Sequence, residues 1–211
     1  MKGGRSLSHA QATNGHHPKI SLVKDFTPDR VKAQAAATGL LEALGVDLTA
    51  AELQDTPRRI AAMYEELLTP KPFNPTTFPN EDGYDELVLA KDIRFTSLCA
   101  HHALPFSGVA HVGYVPGERI LGLSKLARVV HYFSRTLQVQ ERLTKQIADW
   151  LEKELKPRGV GVVLEAEHTC MTIRGVQAAG SKTVTSTMYG LLRERVATRQ
   201  EFLSLIGANN S

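Results

Sequence analysis

The chain has 211 residues, 42% hydrophobic and 22% charged, enough to bury a sizeable core within one domain that carries a helical extension. A formal charge of +3, with no run of five or six like charges, excludes a dedicated nucleic-acid binder and leaves an anionic small substrate open. Two cysteines exclude a disulfide scaffold, and without a secretory signal or a bilayer-length apolar run the expectation is a soluble cytoplasmic protein with no membrane partner.

Residues 1–24 are polar, Gly/Ser-rich and without apolar periodicity, so they read as a flexible tail; His16 and His17 there look like a metal pair only in isolation. Thr27-Pro28 offers an N-cap and a first-turn proline for a helix that carries Val31, Leu40, Leu41 and Leu44 to a stop at Gly45. Thr49 and Glu52 have capping-box spacing, and after Thr56-Pro57 the residues Ile60, Met63, Tyr64 and Leu67 share a helical face. Four prolines and a glycine make 70–84 a long loop, so residues 25–84 read as a helical arm and loop.

From residue 85 the period changes. The segments 86–97 and 106–116 are rich in β-branched and aromatic residues and predict two strands. Leu126, Val129, Val130 and Phe133 form one helical stripe; Val139, Leu143, Ile147, Trp150, Leu151 and Leu155 form another. Strand character returns over 159–176 and 181–190, before a short helix near Arg195 to Leu205. The body, 85–211, is therefore an α+β unit in ββααββ order with no internal repeat.

Two clusters carry chemistry. In "TSLCAHHALPF" Cys99 and His102 stand three positions apart, and in "EHTCM" His168 precedes Cys170 by two, which on a strand puts both on one face. Cys99, His102 and Cys170 would make a Cys₂His set with a fourth position open, the pattern of a catalytic zinc site, with His101 and His168 beside it for proton transfer. Spacing alone leaves the alternative open, that the cysteines are buried small hydrophobes and the histidines satisfied polar groups.

Further along, "GERILGLSK" fails as a P-loop because Leu123 and Ser124 intervene before Lys125. Ser124, Lys125 and Arg128 nevertheless open a helix whose N-terminus suits an anion, against the default of a solvated charged face. In "LQVQERLTKQI" Gln140 and Glu141 begin the second helix, and a carboxylate in a pocket accepts the paired N–H groups of a guanine; an exposed helix carboxylate is the alternative. Counting every second residue along the expected strand, His168, Cys170 and Arg174 face one pocket.

Taken together, "TSLCAHH", "GLSKLARVV", "QVQERLT", "EHTCMTIRGV" and "SKTVTSTM" resemble the zinc-dependent type IA GTP cyclohydrolase I family, over about residues 25 to 206. The resemblance implies a tunnelling fold, an antiparallel ββααββ sheet with helices on one face, assembled as a homo-decamer of two pentameric rings with active sites between subunits. It implies Zn²⁺ on Cys99, His102 and Cys170, with His101, His168 and Ser124 as catalytic groups. Arg59, Lys125, Arg128 and Arg174 would meet the triphosphate and ribose of GTP, and Gln140 and Glu141 the guanine.

The implied reaction converts GTP and water into formate and 7,8-dihydroneopterin triphosphate, the first step towards folate and tetrahydrobiopterin. His168 would protonate the purine N7 while His101 manages protons around the water and ribose. Two positions depart from the family's pattern: Ala100 stands where relatives usually carry glutamate, and Ala62 where they often carry lysine. These departures keep two alternatives in view, a pathway-specific paralogue in secondary metabolism and a non-catalytic, zinc-stabilised GTP-binding protein.

Overall fold

The computed structural model describes residues 27–207. The stretch 1–24, with His16 and His17, lies outside them. Helix α1 spans Arg30–Ala43 and α2 spans Thr56–Leu68. The cap of α1 is Asp29 rather than Thr27: its carboxylate accepts the Lys32 N–H at 3.0 Å, and Thr27 and Pro28 only lead into it. The helix stops as expected at Gly45, which adopts φ of 80°. Thr49 caps no helix, since its hydroxyl donates to the Asp47 carboxylate and residues 48–55 form turns until Pro57 starts α2. On α2 the inward face is Pro57 and Ala61 with Ile60, Tyr64 and Leu67 half-buried, while Met63 turns out at 45% exposure.

The strands are β1 (Thr77–Pro79), β2 (Val88–Cys99), β3 (Pro105–Val115) and β4 (Arg119–Leu121), then β5 (Leu137–Gln138), β6 (Gly159–His168) and β7 (Thr183–Gly190). Helices α3 (Leu123–Ser134) and α4 (Gln140–Leu155) separate the two halves, so the ββααββ order of the tunnelling fold is present. The main sheet runs β5-β2-β3-β6-β7, antiparallel except for the two-residue β5, which lies parallel to the end of β2. The proline-rich 70–84 segment is not all loop: β1 pairs with β4, anchored by Arg119 Nε donating to Thr77 Oγ1 at 2.8 Å. Pro79 is tolerated there because an edge strand leaves one side of its backbone unpaired.

Alternation along β3 and β6 sorts the two faces. Val112, Tyr114, Val162 and Leu164 pack beneath α3 and α4, whose stripes of Leu126, Val129 and Val130 and of Leu143, Ile147 and Leu151 fill the main core. On the opposite face, Val115 and Val163 meet Leu192 of α6 (Leu191–Glu194) and Phe202 of α7 (Val196–Gly207). Gly161 lets these side chains pack on bare backbone, since a Cβ there would lie 2.5 Å from Leu192 Cδ2 and 3.2 Å from the Phe202 ring and force them to shift. No helix among the described residues is long and apolar enough to cross a membrane.

The strand expected over 159–176 ends at His168. Its ladder with β3 stops at the Phe106–His168 pair and that with β7 at Ala166–Thr183, so beyond them the backbone has no partner strand. Thr169–Thr172 coil into one helical turn, α5, closed by the Ile173 N–H to Thr169 C=O bond at 3.1 Å. His168, Cys170 and Arg174 therefore do not alternate along a strand face.

Candidate metal and catalytic site

Cys99 is the last residue of β2, 5% exposed, and begins a tight turn into β3. Its N–H donates to Leu104 C=O at 2.8 Å, and its own C=O accepts from the Ala103 N–H at 2.8 Å. Ala103 sits at φ of 54°, the left-handed conformation that folds the chain back within so few residues. From α2, the Tyr64 hydroxyl donates to Ala103 C=O at 3.2 Å and braces the turn. The result brings Nδ1 of both His101 and His102 to 3.8 Å from Cys99 Sγ.

Helical turn α5 delivers the other thiol. Thr169 Oγ1 donates to Pro105 C=O at 2.5 Å, fastening α5 to the start of β3, and Cys170 Sγ lies 3.8 Å from Cys99 Sγ. That distance is far beyond a disulfide bond of about 2.05 Å, and both cysteines are free. The donor atoms of Cys99, His102 and Cys170 all lie within 4.8 Å of one another. A tetrahedral metal with metal–sulfur bonds of about 2.3 Å separates two sulfurs by roughly 3.8 Å, so the pair already has the edge such an ion needs. Burial and the adjacent Cys99 thiol push the Cys170 thiol above its ordinary range, because two neighbouring thiolates without a cation repel. A soft dication removes that penalty, and the set fits one.

His168 closes the site from the end of β6. Its ring stacks on Phe106 at a centroid distance of 4.4 Å and 5° between planes. Its Nε2 meets Gln140 Oε1 at 2.8 Å. Burial holds its pKa below the ordinary histidine range, with the Glu141 carboxylate opposing that shift. Gln140 is 2% exposed, and its amide nitrogen donates to Thr183 C=O at 2.9 Å, Thr185 Oγ1 at 3.1 Å and Leu164 C=O at 3.2 Å. In this structure the Gln140 side chain faces the protein interior with both N–H donors engaged. Glu141, the next residue, is exposed.

The remaining expected residues are less concentrated. Ser124 and Arg128 are exposed on the first turns of α3, with Lys125 half-buried. Arg128 lines a cavity of about 750 Å³ together with Lys71, Arg94, His131 and Arg135, and none of the Cys–His cluster lines it. Arg59 is exposed on α2, 3.7 Å from the Asp55 carboxylate. Arg174 is exposed beyond α5. One chain thus brings together Cys99, His101, His102 and Cys170, with His168 two residues before Cys170 at the end of β6 and the Arg174 charge acting on the Cys170 thiol. Sequence reasoning missed the parts that Phe106, Tyr64, Thr144 and Thr185 play at the site, because their contacts with Phe95 and His168, with Ala103 and with each other cross the fold.

Comparison with known proteins agrees with this geometry. Residues 33–207 match the protein family described as GTP cyclohydrolase I. A protein of Aquifex aeolicus (strain VF5) named GTP cyclohydrolase 1 is 50% identical over 178 residues, covering 84% of this chain and 97% of the relative. A Synechococcus protein (strain JA-3-3Ab) of the same name is 48% identical over 206 residues, covering 96% of this chain and 86% of its own. One from Streptococcus mutans, likewise named, is 48% identical over 185 residues, with 86% and 96% covered.

Proposed function

The chain belongs to the GTP cyclohydrolase I family, and on that premise we propose how its residues divide the family's reaction. Its activity is hydrolytic opening of the imidazole ring of GTP, releasing formate and forming 7,8-dihydroneopterin triphosphate, at the head of folate biosynthesis. Cys99, His102 and Cys170 would hold a zinc ion. When bound, zinc supplies a Lewis acid that brings the pKa of water down to about 7, which attack on an aromatic C8 at neutral pH requires. The observation that carries this reading is the convergence of these three donors within 4.8 Å beside a histidine held in place by Phe106 and Gln140.

His168 handles the proton of the purine N7. His101, whose Nδ1 also lies 3.8 Å from Cys99 Sγ, handles protons around the water and ribose. Ser124 serves the later opening and reclosure of the ribose. Glu141, exposed on the first turn of α4, accepts the guanine amine and ring N–H, a pairing in which two parallel charge-assisted bonds reinforce each other. Arg59, Lys125, Arg128 and Arg174 neutralise the triphosphate.

In this reading residues 25–84 are an arm, 85–211 are the catalytic body, and the protein works as a ring-forming homo-oligomer, a decamer in the family. Two features support the assembly. Among the described residues, β7 pairs only with β6 and the Val88–Ser97 part of β2 only with β3, which leaves complementary sheet edges at the two ends. Arg128, in addition, borders a cavity that excludes the metal cluster, as expected if a neighbouring subunit completes each site. The free thiols and the nucleotide substrate fit a reducing, cytoplasmic setting.

The test is incubation of zinc-loaded protein with GTP, following formate and, after oxidation and dephosphorylation, fluorescent neopterin. Equal amounts of both are expected. Neither product, from protein that binds zinc and GTP, would overturn the reading in favour of a sensor.

A further inference from the structure

We propose that Gln140 is a positioning residue that fixes the ring orientation and tautomer of His168 by accepting a hydrogen bond from its Nε2–H. This rests on the catalytic role assigned to His168 above.

The orientation of the Gln140 amide follows from its neighbours. Its nitrogen end faces two backbone carbonyls, Thr183 and Leu164, and the Thr185 hydroxyl. Flipping the amide would set its oxygen against those carbonyl oxygens with no hydrogen between them, in a residue only 2% exposed, where unpaired polar atoms are costly. The oxygen end must then face His168, and an amide oxygen only accepts. The 2.8 Å contact to Nε2 is consequently Nε2–H donating to Gln140 Oε1.

A second chain of bonds fixes Gln140 itself. Thr144 Oγ1 donates to Gln140 C=O at 2.8 Å and lies 2.6 Å from Thr185 Oγ1, which in turn accepts from the Gln140 amide. Thr144 is 1% exposed. The amide is therefore held from α4, β6 and β7 at once, while Phe106 fixes the plane of the imidazole from β3. With the plane and one nitrogen determined, Nδ1 is the remaining nitrogen.

The experiment compares Gln140→Leu and Gln140→Glu with the wild type by steady-state kinetics, zinc content and GTP binding. The expected result is a loss of kcat of about 10- to 100-fold in Gln140→Leu with KM for GTP nearly unchanged, the scale typical of residues that orient a catalytic group. Gln140→Glu should fail to recover it, because one carboxylate oxygen can accept the Nε2–H but the other would face the Thr183 and Leu164 carbonyls where the amide N–H now donates. Unchanged kcat with KM raised by the whole factor would overturn the proposal and make Gln140 a guanine contact.

A folding failure of Gln140→Leu is covered by a measurement on the intact zinc-loaded wild type. Long-range ¹⁵N–¹H spectra of the histidine rings, with His168 identified by the signals lost in His168→Asn, should show a protonated Nε2 and a bare Nδ1. The reverse pattern overturns the proposal. A wild type that makes neither formate nor neopterin would sink the assigned role of His168 and leave this nitrogen assignment readable on its own.

Discussion

The imidazole of His168 lies flat against the phenyl ring of Phe106, its cross-strand partner on β3, with centroids 4.4 Å apart and planes 5° from parallel. Phe106 is fully buried and also meets Phe95 edge-on at 6.0 Å, so it ties a proton-transfer group to the core. Replacing it by leucine retains apolar burial and removes the flat surface. Phe106→Leu is expected to cost about 1–3 kcal/mol of stability and about 10-fold in kcat, with little change in zinc content. Denaturant melts beside kinetics check this, and an unchanged kcat in a destabilised protein would reduce Phe106 to a packing residue.

The metal donors differ in what else they do. Cys99 is 5% exposed at the base of the turn, its backbone bonded to Leu104 and Ala103, whereas Cys170 is half-buried on the single turn α5. Cys99→Ser and Cys170→Ser should both abolish bound zinc and turnover. The fold should survive in each, because the hydrogen bonds that shape the turn are backbone bonds. The measurement is metal stoichiometry by atomic emission together with circular dichroism. Zinc retained at one per chain in Cys170→Ser would remove that residue from the ligand set.

His111 supplies a pH dependence outside the site. It is 8% exposed on β3, and its Nδ1 accepts the N–H of Asp92, a residue at φ of 58° where the β2–β3 register shifts. Burial lowers its pKa below 6.5 despite the opposing charges of Asp92 and Glu165, and Lys91 lowers it further. A histidine with a depressed native pKa binds its proton more readily when unfolded. Its contribution is therefore complete above pH 6.5 and is lost as pH falls from there towards the native pKa, with a slope of at most about 1.4 kcal/mol per pH unit. His111→Asn keeps an acceptor for the Asp92 N–H and does not titrate. Denaturation midpoints between pH 8 and pH 5 should fall less steeply in the variant, and parallel curves would contradict this account.

The parts of this molecule legible in its sequence are those written in local periodicity. The stripes at Leu126, Val129 and Val130 and at Leu143, Ile147 and Leu151 specify α3 and α4 without reference to anything distant, and the Cys99–His102 spacing survives because one short turn contains it. Alternation along a strand, which sets Cys170 on one face with His168, gives the wrong geometry. Cys170 arrives on a helical turn because β6 outruns both neighbouring strands at His168, a fact about partners that alternation along one strand cannot contain. The same limit applied to β1, visible only through its pairing with β4, and to Gln140, whose inward amide depends on Thr183 and Leu164, far along the chain.

Ala100 gives a test of how much the turn alone can do. It is exposed, and its N–H donates to Gln138 C=O at 2.8 Å, so its backbone is held by β5 whatever the side chain. A longer side chain such as glutamate can be carried there because Ala100 is exposed. A carboxylate beside His101 and His102 raises imidazole basicity and tightens a metal donor, an effect of about 10- to 100-fold in affinity when such partners are removed elsewhere. Ala100→Glu should accordingly slow zinc loss to a chelator by up to about 10-fold and leave the thermal midpoint nearly unchanged, because an exposed substitution carries little packing energy. Zinc loss at the wild-type rate would mean that Cys99, His102 and Cys170, held by the Ala103 turn and by α5, already fix the ion without a neighbouring charge.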